Sequence, residues 1–201
     1  MNKAIIDTCF LEQFNKRPKY QVDDFRTLIN GSEFELLIHP YVYIYELSMF
    51  SYINTLINDG LCRVVDYCEF IKTEYFKEYY KGLYIQIYNE FVQRKQITNP
   101  RKAMKMIPLD DNSDVFEIKH SGASYGDVHI IMMALFMEIL IVLSEDNEDL
   151  IEIYNIAKKK INSERYKLLI YQVSDVVDLV RTKGIIAKKE LKRIDRAFSR
   201  H

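Results

Sequence analysis

Four acidic residues stand where chemistry on a phosphate can be done: Asp7, Glu46, Asp127 and Asp146. Asp7 closes the apolar run Ala4-Ile5-Ile6. Glu46 falls about two turns into the helix expected after the apolar stretch Phe34 to His39. Asp127 opens the helix before a third apolar run, and Asp146 follows that run after Ser144-Glu145. In an open parallel sheet, the carboxyl ends of the strands and the first turns of the following helices share one edge, the usual ligand crevice. Carboxylates gathered there raise one another's pKa and call for counter-charge. An all-oxygen set suits Mg²⁺ or Mn²⁺, and His/Cys spacing for zinc is absent. Such ions lower the pKa of water and steady the transition state of phosphodiester hydrolysis. The pattern points to metal-dependent phosphoryl chemistry. Each Asp alone is more often a helix cap or turn residue. Glu46, on an otherwise apolar helix face, fits that bland reading least, because a buried Glu needs a partner.

The elements that must position these groups are readable from periodicity. Ala4 to Ile6 reads as a buried strand feeding a helix with Phe10, Leu11 and Phe14 on one face. Phe34 to His39 is a second strand, and Pro40 starts a helix carried onward by Val42, Tyr45, Leu47, Met49 and Phe50. Tyr125 to Glu138 reads as a buried helix, Ile139 to Leu143 as a strand, and Asn147 to Lys160 as another helix. Lys167 to Gln172 is a fourth strand, followed by a helix from Ser174 to Thr182 that Gly184 caps. Ala187 to Phe198 is a basic helix with Leu191, Ile194 and Phe198 on one side. Alternating strands and helices predict an α/β fold with a mostly parallel sheet between two helical layers.

From about residue 60 to 120 the pattern changes. Glu69 to Gln96 carries Tyr and Phe at helical spacing, predicting one long helix or two broken at Gly82, and Thr98 to Ser121 reads as a long connection. The aromatic stripe is core or a dimer seam before it is a base-stacking surface.

Three segments in order, IIDTCFL, HPYVYIYEL and GDVHIIMMALFMEILIVLSEDNEDL, resemble the PIN domain, a metal-dependent nuclease fold. The first resembles that family's opening strand with its Asp and following hydroxyl residue. The second resembles its helix bearing the second acid. The third resembles its Asp-bearing helix, hydrophobic strand and Ser/Thr-x-Asp-x-x-Asp loop. The resemblance covers a quarter to a third of the chain. It implies a single PIN-like domain over residues 1–201, a three-layer α/β/α sandwich with an enlarged Tyr-rich insertion near 60–120 and a basic helix near 187–200. It implies Asp7, Glu46, Asp127 and Asp146 as the catalytic, metal-holding quartet and Asp149 as an auxiliary metal ligand, with Mg²⁺ or Mn²⁺ as cofactor. Thr8 and Ser144 would fix carboxylates or water. It further implies an endoribonuclease acting on RNA, a toxin with a protein antitoxin or another RNA-processing enzyme, and homodimerisation as many members pair. The chain departs from compact members in its length, in its long aromatic stretch and in Glu145, which reads as solvated before it reads as an outer-shell ligand. His129, two residues after Asp127 on another helical face, is a structural histidine before it is a substrate contact.

An acidic crevice repels a polyanion, so such an enzyme needs a basic rim. Lys188, Lys189, Lys192, Arg193, Arg196 and Arg200 of the last helix supply one candidate, against the plain alternative of a solvated face. Gln93-Arg94-Lys95 with Arg101-Lys102-Lys105 supplies a second. Composition does not announce a nucleic-acid binder, since the net charge is −1. The basic residues are concentrated instead, with eight Lys/Arg against two Asp/Glu from Arg181 onward. With 48% hydrophobic residues and six Gly, the chain is neither disordered nor collagen-like. Cys9, Cys62 and Cys68 read as three buried, reduced thiols, which with the early Asp7 predicts a cytoplasmic protein without a secretory signal. The apolar run Val128 to Leu143 is interrupted by His129 and Glu138 and reads as core, so no membrane partner is expected. Two rival readings stand: a PIN-like module that binds nucleic acid or protein without cutting, and a structural protein whose acids only cap helices.

Overall fold

A computed structural model describes residues 2–15, 21–118, 124–163 and 165–198. Arg200 and the end of the connection at residues 119–121 lie outside them. Five strands form one sheet in the order β3-β2-β1-β4-β5. They are β1 (Asn2–Ile6), β2 (Phe34–Ile38), β3 (Cys62–Val64), β4 (Ile141–Leu143) and β5 (Leu169–Tyr171). Every neighbouring pair is parallel, with Ala4 opposite both Leu36 and Ile141. The fold is α/β, and its sheet order is consistent with a PIN-like arrangement. Central β1 is buried on both sides at Ala4, Ile5 and Ile6, as a parallel strand covered by helices requires.

The chain runs outward from β1 to β2 and β3, then crosses back to β4 and β5, so right-handed connections place helices on both faces. Helices α1 (Thr8–Asn15), α2 (Gln21–Ser32), α9 (Val173–Lys183) and α10 (Lys188–Phe198) pack together as one layer. Helices α5 (Glu74–Thr98), α7 (Tyr125–Phe136) and α8 (Asn147–Lys160) form the other. The direction of travel reverses between β1 and β4. No helix among the described residues is long and apolar enough to cross a membrane.

Several boundaries differ from the sequence expectation. The helix after β2 is not continuous. A single turn α3 (Pro40–Val42) runs into a π-helical turn Tyr43–Leu47, and a separate α4 (Ser51–Asn58) follows. The π turn closes with Ser48 N–H donating to the Tyr43 carbonyl at 2.8 Å. The apolar run Val128 to Leu143 hides a helix end. Glu138 adopts a left-handed conformation (φ 55°), and Ile139 N–H donates to the Ala134 carbonyl at 2.8 Å. This is a Schellman turn without the usual glycine, and it delays β4 to Ile141. The edge strand β3 falls in a stretch expected to hold no strand. In the last unit, Gln172 rather than Ser174 caps α9, paired with Asp175 in a capping box. Cys62 is buried, Cys9 half-buried and Cys68 exposed, so the expectation of three buried thiols holds for one; all three are free.

The Tyr-rich stretch forms one helix, α5, unbroken at Gly82. Tyr80, Tyr84, Tyr88 and Phe91 are fully buried, whereas Tyr75, Phe76 and Tyr79 at its start are exposed. The stripe is mainly core. A buried polar chain runs through it. The Tyr41 N–H donates to His39 Nδ1 at 3.0 Å, and His129 Nε2 lies 2.9 Å from the Val115 carbonyl, which can only accept. Both imidazoles therefore carry their proton on Nε2. Tyr80 Oη then donates to His129 Nδ1 at 2.8 Å and sits 3.5 Å from His39 Nε2. Burial pushes the His129 pKa down to about 3 against the opposing Val115 bond, and burial with the neighbouring His129 holds His39 well below its ordinary value. Tyr80→Phe leaves the shape and removes the bridging hydroxyl, so a buried nitrogen loses its partner. The expected loss of about 1–3 kcal/mol is checked by urea denaturation.

Candidate metal centre at the sheet edge

The carboxyl ends of β1 and β4 lie side by side where the strand order reverses, the position that makes a crevice in open α/β sheets. Asp7 N–H donates to the Leu143 carbonyl at 3.0 Å and Ser144 N–H to the Tyr171 carbonyl at 3.0 Å, so the two strand ends stay in register past the sheet. Asp7 is buried. Its Oδ2 accepts from Ser144 Oγ at 2.7 Å and from Cys9 Sγ at 2.8 Å. Cys9 Sγ also accepts from the Glu145 N–H at 3.1 Å, and Ser144 Oγ from the Asp146 N–H at 3.0 Å. These bonds tie the β4–α8 loop to the start of α1. Asp146 then caps α8, its Oδ1 accepting from the Asp149 N–H at 3.3 Å.

Glu46 reaches the same edge from the π turn. That geometry inserts an extra residue into a helical turn and re-aims the side chains, a device common at functional sites. Thr8 Oγ1 donates to Glu46 Oε2 at 2.5 Å. The other oxygen lies over Gly126, where a Cβ would stand 2.1 Å from Glu46 Oε1. Gly126 precedes Asp127, so the Glu46 carboxylate is seated against the backbone of the first turn of α7. Asp127, Asp146 and Asp149 each offer an oxygen, all within 4.8 Å of one another. Such an all-oxygen set suits a hard divalent cation.

The charges feel one another. Burial raises the Asp7 pKa, partly offset by the Cys9 and Ser144 bonds, with Asp146 adding repulsion. Burial, opposed by the Thr8 bond and joined by repulsion from Asp7 and Glu12, pushes Glu46 up to about 7. Asp127 is also driven up, by burial first and then by Asp7, Asp146 and Glu46. A cation held among Asp127, Asp146 and Asp149 would offset the charge on Asp127 directly; Asp7 and Glu46 lie outside that group of three.

Asp149 stands apart in having its own counter-charge. Lys95 Nζ pairs with its Oδ1 at 2.8 Å, and Lys102 Nζ pairs with its Oδ2, to which Ser124 Oγ also donates at 3.2 Å. Both lysines come from the insertion. Of the remaining expectations, Glu145 is neither solvated nor turned to the centre: its Oε1 accepts the Val173 N–H at 2.8 Å at the start of α9. His129 is enclosed with both nitrogens bonded, away from the acids. Lys188, Lys189, Lys192 and Arg196 are exposed on α10. Arg193 pairs with the buried Asp24 at 2.6 Å, and Phe198 packs on Phe14 at 4.9 Å between ring centres. That contact lies about 9 Å along α1 from Thr8. Cys9 and Gly126 are site residues that the sequence reading misses, although Cys9 sits in the IIDTCFL segment and Gly126 beside Asp127. Lys95 and Lys102, expected in a basic rim for nucleic acid, instead neutralise Asp149, a pairing that nothing local in the sequence marks. No known protein family, curated protein or solved structure matches the chain.

Two outcomes follow from this geometry. Between the unfolded glutamate range and about 7, the folded chain holds a proton on Glu46 that the unfolded chain has lost. Stability without metal therefore falls as pH rises through that window, and Mn²⁺ added near pH 7.5 restores it, as melting temperatures at pH 5 and 7.5 check. Gly126→Ala meets only the flexible end of Glu46, so the fold survives and the carboxylate swings out. Its titration, followed by NMR, is expected to drop from about 7 toward the ordinary glutamate range.

Proposed function

We propose that the chain is a PIN-like, divalent-metal-dependent nuclease that hydrolyses RNA. One observation supports this reading: Asp127, Asp146 and Asp149 offer oxygens within 4.8 Å of one another, with Asp7 bonded to Ser144 of the loop that presents Asp146 and Glu46 seated against Gly126 beside Asp127. Helix caps scattered over a surface would not burden one another's ionisation in this way.

Asp127 and Asp146 would hold the ion, with Asp7 and Glu46 close behind and Asp149 beside them. Bound Mg²⁺ or Mn²⁺ supplies positive charge to the phosphate and acidifies water. The chain's own residues do the rest. Ser144 and Cys9 hold Asp7, and through it the loop that presents Asp146. Thr8 and Gly126 hold Glu46 at the sheet end, where its carboxylate would accept the proton of the attacking water once the ion's charge has displaced its own. The water oxygen bonds to phosphorus, the bond to one bridging oxygen breaks, and that oxygen leaves with a proton from solvent. Exposed Lys188, Lys189, Lys192 and Arg196 on α10 hold the RNA backbone away from the centre. RNA rather than DNA, a toxin role with a protein antitoxin, pairing into a homodimer and a cytoplasmic setting rest on the family resemblance and the sequence.

The test is cleavage of a mixed RNA panel by the purified chain in Mn²⁺, abolished by chelator. Asp7→Asn and Asp127→Asn are each expected to reduce the rate by about 100-fold or more while leaving the chain folded. Tight RNA binding without cleavage under any divalent ion would replace this reading with the silent binding module. Failure to bind Mn²⁺ stoichiometrically would leave the acids as caps.

A further inference from the structure

Of the basic cluster Arg101-Lys102-Lys105, one member reaches the carboxylates themselves. Lys102 stands on α6 (Pro100–Ala103), the short helix that follows α5. Its base is fixed: Asn99 Oδ1 accepts the Lys102 N–H at 3.1 Å, and Ala103 and Met106 are buried beside it. Its ammonium pairs with Asp149, whose carboxylate lies within 4.8 Å of those of Asp127 and Asp146. An ammonium from the insertion thus stands one carboxylate away from the acid cluster.

The two lysines on Asp149 are not equivalent. Lys95 keeps 8% of its side chain exposed and bridges Asp149 and Glu152 at 2.8 Å each, so it cannot leave without stranding two carboxylates. Lys102 keeps 26% exposed and adds a second charge to an oxygen that Ser124 also serves. Asp149 therefore stays satisfied by Lys95 and Ser124 if Lys102 turns away. Arg101 and Lys105 beside it are exposed. A phosphodiester entering between carboxylates meets repulsion, and α10, which carries the other basic cluster, packs in the helical layer opposite α5. Lys102 is the more exposed of the two lysines on Asp149, on a flexible stem that can re-aim without moving its helix.

We propose that Lys102 exchanges Asp149 for a non-bridging oxygen of the scissile phosphate, making it a substrate-contacting catalytic residue supplied by the insertion. The proposal rests on the nuclease reading. Its test compares the full-length chain with Lys102→Met and Lys102→Arg in three measurements: RNA cleavage in Mn²⁺, Mn²⁺ affinity by calorimetry, and the salt dependence of single-stranded RNA binding with Ca²⁺ in place of Mn²⁺. Lys102→Met is expected to lower kcat/KM about 100-fold, and Lys102→Arg to recover at least about tenfold of that loss. Mn²⁺ affinity is expected to hold within about threefold or tighten, because an ammonium beside the acids opposes a dication. The slope of log affinity against log salt is expected to shrink by about 0.7, the loss of one phosphate contact. Wild-type cleavage by Lys102→Met, an unchanged salt slope, or loss of Mn²⁺ binding in step with cleavage would each overturn the proposal while leaving the nuclease standing. A wild-type chain that cuts no RNA would overturn both.

Discussion

Like charges crowded at the edge of a poorly solvated sheet set the terms for this molecule. Two carboxylates 4.8 Å apart repel by about 3–4 kcal/mol at an effective dielectric constant of about 20, and several such pairs meet at the β1/β4 switch point. Much of the surrounding structure offsets that repulsion. Ser144 and Cys9 donate to Asp7, Thr8 donates to Glu46, and two lysines and a serine serve Asp149. What remains is carried by protons on Glu46 and Asp127, the groups a divalent cation would displace.

The holding of each acid depends on an element some distance away in sequence. Asp7 is steadied by the β4–α8 loop, and Glu46 by the first turn of α1 and the backbone at Gly126. The two histidines place a second clamp behind these elements. His39 immediately precedes the turn that leads to Glu46, His129 follows Asp127 by two residues, and Tyr80 of α5 stands between them. The aromatic insertion thus braces two acid-bearing segments from behind while its lysines balance a third from the side.

The parts of this arrangement with local periodicity were readable from sequence. β1, β2, α8 and the helix carrying Asp127 follow from apolar alternation, Pro40 and the acids at strand ends. The errors have local causes. The Schellman turn at Glu138 lacks its glycine, so the helix expected to end there stops two residues earlier at Phe136, and the strand expected from Ile139 begins at Ile141. The π turn at Tyr43–Leu47 has no sequence signature, and the expected continuous helix stopped short. β3 is three residues long with Arg63 in its middle, paired to Glu69 and Glu35, too short and too charged to show alternation. The acids were legible because their order in the chain matches a fold's strand ends. Lys95 and Lys102 were legible as basic residues but not as partners of Asp149, which lies some fifty residues further on and is joined to them only by tertiary packing.

The two lysines on Asp149 also bear on whether the aromatic segment is a detachable embellishment. Lys95 neutralises both Asp149 and Glu152 on α8, a helix that belongs to the sheet's own covering layer. A shortened chain in which a tight loop replaced residues between β3 and α7 would keep both carboxylates and lose their only cations among the described residues. Trimming toward a minimal scaffold would therefore have to rewrite α8 as well.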